Sequence, residues 1–212
     1  MKNRQSSLGV QAVSLALVAG LGVSTFVQTA GVAAAQGVRY KVASGRSKFT
    51  IKASTSGLDA HTRTLTTGDV SGVVGFSKTM QPTAVQMTVK ANSVKSTEGG
   101  GDGTRITNVT RSQILEAGKY PNIVFQSTKI VPNKPVKGQF SARVMGTLTM
   151  HGVKRAVVIP ARGSVNGNTL RATGSFTLRQ SDYGITLLSL FLGAVKVNDP
   201  VTLQFDIVAN KA

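Results

Sequence analysis

The chain reads as an all-β protein, with eight or more antiparallel strands closing around one shared interior. Three observations predict this. First, apolar and polar residues alternate with a period of two in segment after segment from Ser47 onward, which is how a strand with one apolar and one wet face reads. Second, Met150-His151-Gly152-Val153 and Asn166-Gly167-Asn168 have the chemistry of tight hairpin turns between such segments. Third, aromatics make up only 5% of the residues and Trp is absent, while Gly numbers 23; this composition suits a curved sheet with bends and bulges.

Taken in order, strands are expected over 38–43, 47–54, 69–76, 83–91, 122–130, 139–150, 153–161, 169–178 and 200–209. In the second, Phe49, Ile51 and Ala53 alternate with Lys48, Thr50 and Lys52. In the fourth, Val85, Met87, Val89 and Ala91 alternate with Gln86, Thr88 and Lys90. The rhythm breaks at Glu98-Gly99-Gly100-Gly101-Asp102-Gly103, which reads as a flexible loop. A short helix is expected after it, with Thr110 as cap, Gln113 as its capping-box partner, Gly118 at the C-terminus and Pro121 shortly beyond. Loop and helix form either a lid over one end of the barrel or a plain crossover. Asp102 lacks the spaced carboxylates of a calcium loop. The rhythm then resumes: Phe140, Ala142, Val144, Gly146, Leu148 and Met150 share one face, as do Leu170, Ala172, Gly174, Phe176 and Leu178. Val201, Leu203, Phe205, Ile207 and Ala209 close the series.

The amino terminus is expected to stand apart from the fold. Lys2 and Arg4 precede an uncharged stretch from Gln5 to Val38, apolar over 10–27, with Ala33-Ala34-Ala35 before Gln36. This is the grammar of a secretory signal peptide over 1–35, leaving 36–212 as one barrel domain. A retained anchor is the competing reading, diluted by Gln11, Ser14, Ser24, Thr25 and Gln28. The expected location is therefore periplasmic or extracellular, in the cell envelope. Cysteine is absent, which excludes thiol catalysis, thiolate metal sites and any reliance on disulfides. The 25 Lys and Arg face 8 Asp and Glu, and removal of Lys2 and Arg4 leaves a charge of about +15. Such a field attracts anionic lipid surfaces or other polyanions. The basic residues are spread along outer faces without interleaved aromatics, which argues against nucleic acid.

Chemistry for catalysis is sparse. No two of the eight acids sit in the context of a paired acid/base site, and no nucleophile elbow, phosphate loop or HExxH motif is present. His61 and His151 with a carboxylate could bind a metal, but each is more simply a loop or turn residue. Neither metal nor cofactor is expected. What remains is the interior. An eight-stranded barrel has room for one ligand of modest girth. Small inward residues (Ala53, Ala91, Ala142, Gly146, Ala172 and Gly174) would leave such space; in a filled barrel they would be simple packing.

Several segments resemble the YceI family, lipocalin-like polyisoprenoid-binding proteins of bacteria. GKYPNIVFQST from Gly118 to Thr128 is similar to that family's yP-x-I-x-F-x-S-T signature. GTLTMHGVKRAVVI from Gly146 to Ile159 resembles its G-x-L-T-x-H-G-V strand–turn–strand. SDYGI, Ser181 to Ile185, precedes Gly193 and a closing strand from Val195 to Val208 that carries Asp199 and Val201, as in that family. YKVASGRSKFTIKA and HTRTLTTGDVSGVVGF resemble the family's opening stretches, so the order holds from about Tyr40 to Ala209. The resemblance implies an antiparallel eight-stranded lipocalin-like barrel with a long apolar tunnel for an isoprenoid chain or isoprenoid quinone, and no enzymatic activity. Carried over by motif, the implied ligand-binding residues are Tyr40, Phe49, His61, Phe125, His151, Asp182 and Tyr183, with Ile185 and Phe191 as tail contacts. The chain departs from the pattern at two places. Ala43 and Arg46 stand near positions where the opening strand often carries an Asp and a His. Gln180 stands where an Arg is common, with Arg179 one residue earlier and so directed to the other face.

Three functions follow as alternatives. The first is carriage, storage or protection of an isoprenoid lipid or quinone. The second is a filled barrel whose basic surface docks on anionic lipid or an envelope protein. The third is an enzyme or redox accessory using His61 and His151. A homodimer paired through an edge strand is compatible with each.

Overall fold

The computed structural model describes residues 37–133 and 138–212; the expected signal peptide and its Ala33-Ala34-Ala35 motif lie outside the described residues. Twelve strands form one antiparallel sheet that closes on itself. They are β1 (Val38–Val42), β2 (Lys48–Gly57), β3 (Thr62–Thr67), β4 (Val70–Phe76), β5 (Pro82–Lys90), β6 (Lys95–Ser96), β7 (Asn122–Pro132), β8 (Gln139–Met150), β9 (Val153–Asn166), β10 (Thr169–Arg179), β11 (Ser189–Leu190) and β12 (Val195–Lys211).

Eight positions make the barrel because three of them are broken strands. β1 and β2 both pair with β12, on one side of it, and so act as one strand interrupted at 43–47. β3 and β4 run beside them in the same way, and β5 and β6 continue across a 3-10 turn at Ala91–Ser93. β7, β8, β9 and β10 follow in order, and β12 closes the ring against β1, with Val42 opposite Ala209 and Tyr40 opposite Lys211. The register of β12 slips between Val197 and Val201, where Pro200 has no N–H to give to a ladder.

The hairpins have the expected turns. His151 and Gly152 both take positive φ, 51° and 76°, between β8 and β9, and Gly167 takes 56° between β9 and β10. Several strands exceed the bounds that alternation gives: β9 reaches Asn166, and β12 begins at Val195, where the family resemblance starts the closing strand. β3 was not expected at all. Five of its six residues are Thr or Arg, so only Leu65 marks an apolar face, and the β-branched threonines are the signal that identifies it.

The helix also corrects the sequence reading. It starts inside the glycine run, α1 spanning Gly100–Val109, and continues as a π-helical turn over Thr110–Ile114. Thr110 is therefore not an N-cap: it is the residue where α1 ends and the π-helical turn begins, and its N–H donates to the Ile106 and Thr107 carbonyls. Gly103 is needed there because a Cβ would collide with the Glu98 carbonyl. Tertiary anchors replace helix propensity: the Ser96 N–H donates to Thr107 Oγ1 at 2.9 Å, and Arg111 Nε donates to the Val94 carbonyl at 2.7 Å. α1 is thereby held over one end of the barrel, the helix end.

At the far end the interior is solid. Tyr40 packs edge-on to Phe76 (5.6 Å between centroids) and Phe76 edge-on to Phe140 (5.2 Å), with Leu170 and Ala209 fully buried beside them. Glycines on the wall receive aromatic rings. Phe205 lies against Gly174, Phe140 against Gly163 and Phe125 against Gly146; a Cβ at Gly146 would sit 2.6 Å from the Phe125 ring. Gly146 and Gly174 thus accommodate neighbouring rings; they do not leave open space, as their small size suggested.

Candidate functional site

Between the aromatic plug and the helix the barrel is hollow. An inner chamber of about 130 Å³ is lined entirely by apolar groups, among them Phe49, Val85, Phe125, Ala142, Ala172 and Phe205. An outer chamber of about 500 Å³ lies under the helix, lined by Ala53, Leu65, Ile106, Ile114, Ile185 and Val201 among others. Ile51, Val94, Ile123 and Leu203 line both chambers and so stand at the neck, the boundary between them. Many inward side chains, including Phe49, Ile51, Phe176, Leu203 and Phe205, are only half-buried although they face the interior. The surface they leave uncovered belongs to the hollow. A packed core would have removed it.

Polar groups gather only at the helix end. Thr55, Asp59, Arg63, Arg105, Gln113 and Gln180 face the outer chamber. Arg63 reaches from β3 and bonds two carboxylates at once, Asp59 at 2.7 Å and Glu98 at 2.8 Å. His61 Nδ1 lies 2.8 Å from the other oxygen of Asp59. Arg105 is more exposed and pairs with Asp102 at 3.4 Å. Two arginines at the mouth are thus matched by three of the chain's eight acids. The mouth carries no excess of positive charge although the chain as a whole is strongly basic.

The strand bulge at Pro200 shapes one wall of the mouth. Asp199 is turned outward to accept the Ser181 N–H at 2.8 Å and the Ser181 hydroxyl at 2.7 Å, and Arg179 Nε donates to it at 2.8 Å. The Ser181 donors, then Arg179, hold its carboxyl at about 2, below its ordinary 3.8. Gln180 points the opposite way, buried, and donates through Nε2 to the Asn198 carbonyl at 2.9 Å. A carboxylate with a lowered pKa stabilises the fold above its unfolded value and loses that contribution as pH falls through the folded one. The 180–185 segment is therefore expected to stay clamped at pH 4 and to loosen through about 2, with the Asp199 carboxyl resonance titrating in step.

The motif-implied residues divide into three groups. Phe49 and Phe125 line the inner chamber and Ile185 the outer one. Tyr40, His151, Asp182 and Tyr183 lie outside the lining, as does His61 behind Asp59. Tyr40 belongs to the aromatic plug. His151 is a clasp for the β8–β9 turn: its ring packs on Tyr120 at 4.6 Å, and its nitrogens face the Tyr183 carbonyl at 3.2 Å and Glu116 at 3.4 Å. Asp182 is exposed, and its carbonyl accepts from Arg155 Nε at 2.8 Å. The side chain of Phe191 lies outside the described residues. His61 and His151 have separate partners and do not form one site.

Tyr183 is 1% exposed, and its hydroxyl is, among the described residues, the one buried side-chain polar atom without a hydrogen-bond partner. Burial accordingly pushes the phenol above its ordinary pKa. An unpaired buried hydroxyl costs stability. Tyr183→Phe is therefore expected to be about 1 kcal/mol more stable than the parent, read as a higher urea midpoint at constant slope.

Sequence reasoning missed Arg63, Arg105 and the helix residues Ile106, Val109 and Ile114. Arg63 was hidden with its strand. The helix residues do follow helical spacing (106, 109, 110, 113, 114), a signal masked by the glycines before them.

Residues 40–209 match the family described as YceI-like domain. A UPF0312 protein of Pseudomonas fluorescens is 28% identical over 151 residues, covering 68% of this chain and 73% of that one. A UPF0312 protein of Pseudomonas paraeruginosa is 32% identical over 109 residues, 49% of this chain and 52% of its own. Among solved structures, Burkholderia cenocepacia BcnA superposes with a TM-score of 0.62 at 23% identity, covering 80% of this chain and 99% of that one. A polyisoprenoid binding domain from Saccharophagus degradans, implicated in plant cell wall breakdown, superposes with a TM-score of 0.60 at 14% identity, covering 82% and 98%. At these identities the two structures speak to the fold.

Proposed function

This chain belongs to the YceI-like domain family, and from that premise we propose that it is a non-enzymatic binder of an isoprenoid lipid, held tail-inward in the barrel and carried, stored or protected in the cell envelope after export. One observation carries the reading: two adjoining apolar chambers with four wall residues in common, walled by side chains that leave apolar surface uncovered. Each CH₂ that a prenyl tail buries there contributes about 0.8 kcal/mol, so a lined tube suffices without many polar contacts. The similarity in fold to a polyisoprenoid binding domain supports the same ligand class. The tail contacts of this reading are Phe49, Phe125, Ile185 and the neck residues. The plug and clasp residues Tyr40 and His151 hold the barrel itself.

The mouth favours a neutral headgroup such as a quinone over a diphosphate. Arg63 is already shared by two carboxylates, and the buried mouth position after Arg179 is the uncharged Gln180. The test is native mass spectrometry of detergent-free protein, followed by lipid extraction and titration of delipidated protein. A prenyl quinone is expected to bind at least tenfold more tightly than the same tail on a diphosphate. Asp59→Asn with Glu98→Gln is expected to narrow that gap by freeing Arg63. Folded, delipidated protein that takes up neither ligand would sink the reading.

A further inference from the structure

The loop from β10 to β12 breaks the rule that surface loops are polar. From Tyr183 to Val195 it has no charge, and seven of the ten residues from Ile185 to Ala194 are apolar. Ile185 and Leu188 face the outer chamber, but the loop's outer residues do not. Leu192 is fully exposed at 110% and holds a left-handed φ of 56°, costly for a leucine. Leu58, 89% exposed, is tied to the same loop: its N–H donates to the Ala194 carbonyl at 2.9 Å. Leu187 is exposed on the same rim, next to the Leu188 carbonyl that accepts the Val197 N–H. Three of the five exposed large apolar residues among the described ones thus ring the mouth, while Val73 and Val158 sit singly on the wall. Lys196 is exposed beside Gly193, and Arg105 is exposed on the helix across the mouth.

We propose that this rim is a membrane-docking surface: Leu58, Leu187 and Leu192 enter a bilayer of anionic lipid while Lys196 meets its headgroups, seating the tunnel mouth on the membrane. Two facts select a bilayer. The apolar rim is continuous with the apolar tunnel through Ile185 and Leu188, so a lipid tail would pass between them without crossing water. The mouth is charge-balanced, and the chain's net positive charge, carried elsewhere on its surface, draws the whole molecule toward an anionic leaflet. The purpose of docking rests on the lipid-binding reading, although docking itself can be measured independently.

The full chain has neither Trp nor Cys, so a single tryptophan is a unique probe. L192W and L58W are expected to shift to the blue and be quenched by brominated lipids on vesicles of three parts phosphatidylcholine to one part phosphatidylglycerol. V158W, on the wall, is expected to do neither. Phosphatidylcholine alone, or high salt, should weaken the response. The L58S/L192S variant should transfer a prenyl quinone between vesicles at least tenfold more slowly with unchanged affinity for the quinone added from solvent. An indifferent L192W, or V158W quenched as strongly, would overturn the proposal. So would a blue shift without lipid that grows with protein concentration, because a second copy would then cover the rim. Rim quenching in a protein that binds no prenyl lipid would leave docking standing and remove only the lipid-binding reading.

Discussion

Leu203→Trp is expected to divide the tunnel and turn a binder of long tails into a binder of short ones. Leu203 is one of four residues common to both chambers, and its side chain is only half-buried because it faces their junction. An indole there fills the neck and leaves the outer chamber, of about 500 Å³, open to solvent. A tail that ends in the outer chamber should lose little. A tail that needs the inner chamber forfeits several buried CH₂ groups at about 0.8 kcal/mol each, so affinity should fall on the order of a hundredfold. Isothermal titration with prenyl quinones of increasing tail length reads this directly. Equal losses at every length, with an unchanged melting curve, would mean that the neck is not on the path of the tail.

Gly174→Val is expected to be strongly damaging to the wall, destabilising by about 3 kcal/mol or more. Gly174 lies directly opposite Phe205 across β10 and β12. A Cβ there would stand 2.7 Å from Phe205 Cε1 and closer still to the Pro160 carbonyl on β9. The ring could swing into the inner chamber, but the carbonyl is held by the β9 backbone. Gly118→Ala is the control: nothing lies within 4 Å of its added Cβ, and it should be neutral in the same denaturant series. A Gly174 variant as stable as that control would refute the ring-on-glycine packing.

These two positions also mark the limits of the sequence as a guide. Alternation correctly gave the inward set of β2, β5, β8, β10 and β12, because period two is imposed by the backbone itself. It could not say what the inward small residues face. Ala142 and Ala172 border the hollow, whereas Gly146 and Gly174 are covered by rings from the adjacent strand, a difference set by register and side-chain direction. The barrel walls were legible; β3 was not, since Arg63, Leu65 and Thr67 offer one large apolar residue in three inward places. The helix was legible as an interruption but misplaced by ten residues, because contacts with β6 and Val94 hold a glycine-rich first turn that propensity would reject. Motif resemblance found the fold and three tunnel residues. It also brought in Tyr40 and His151, whose partners are the plug and the β8–β9 turn, and no motif pointed to Arg63, whose neighbours come from two separate loops.

The Tyr40–Phe76–Phe140 stack, described above as the solid end of the barrel, makes the tube blind. On the proposed reading, a tail enters past α1 and its tip stops at this stack. Distance along the ligand is thus counted from a fixed stop. Each added isoprene unit beyond the tunnel's depth pushes the head outward past Arg63, and none can be hidden by threading through. On that reading the barrel is a ruler whose zero mark is Phe140, and Phe140→Ala is expected to change the length that fits without touching the mouth.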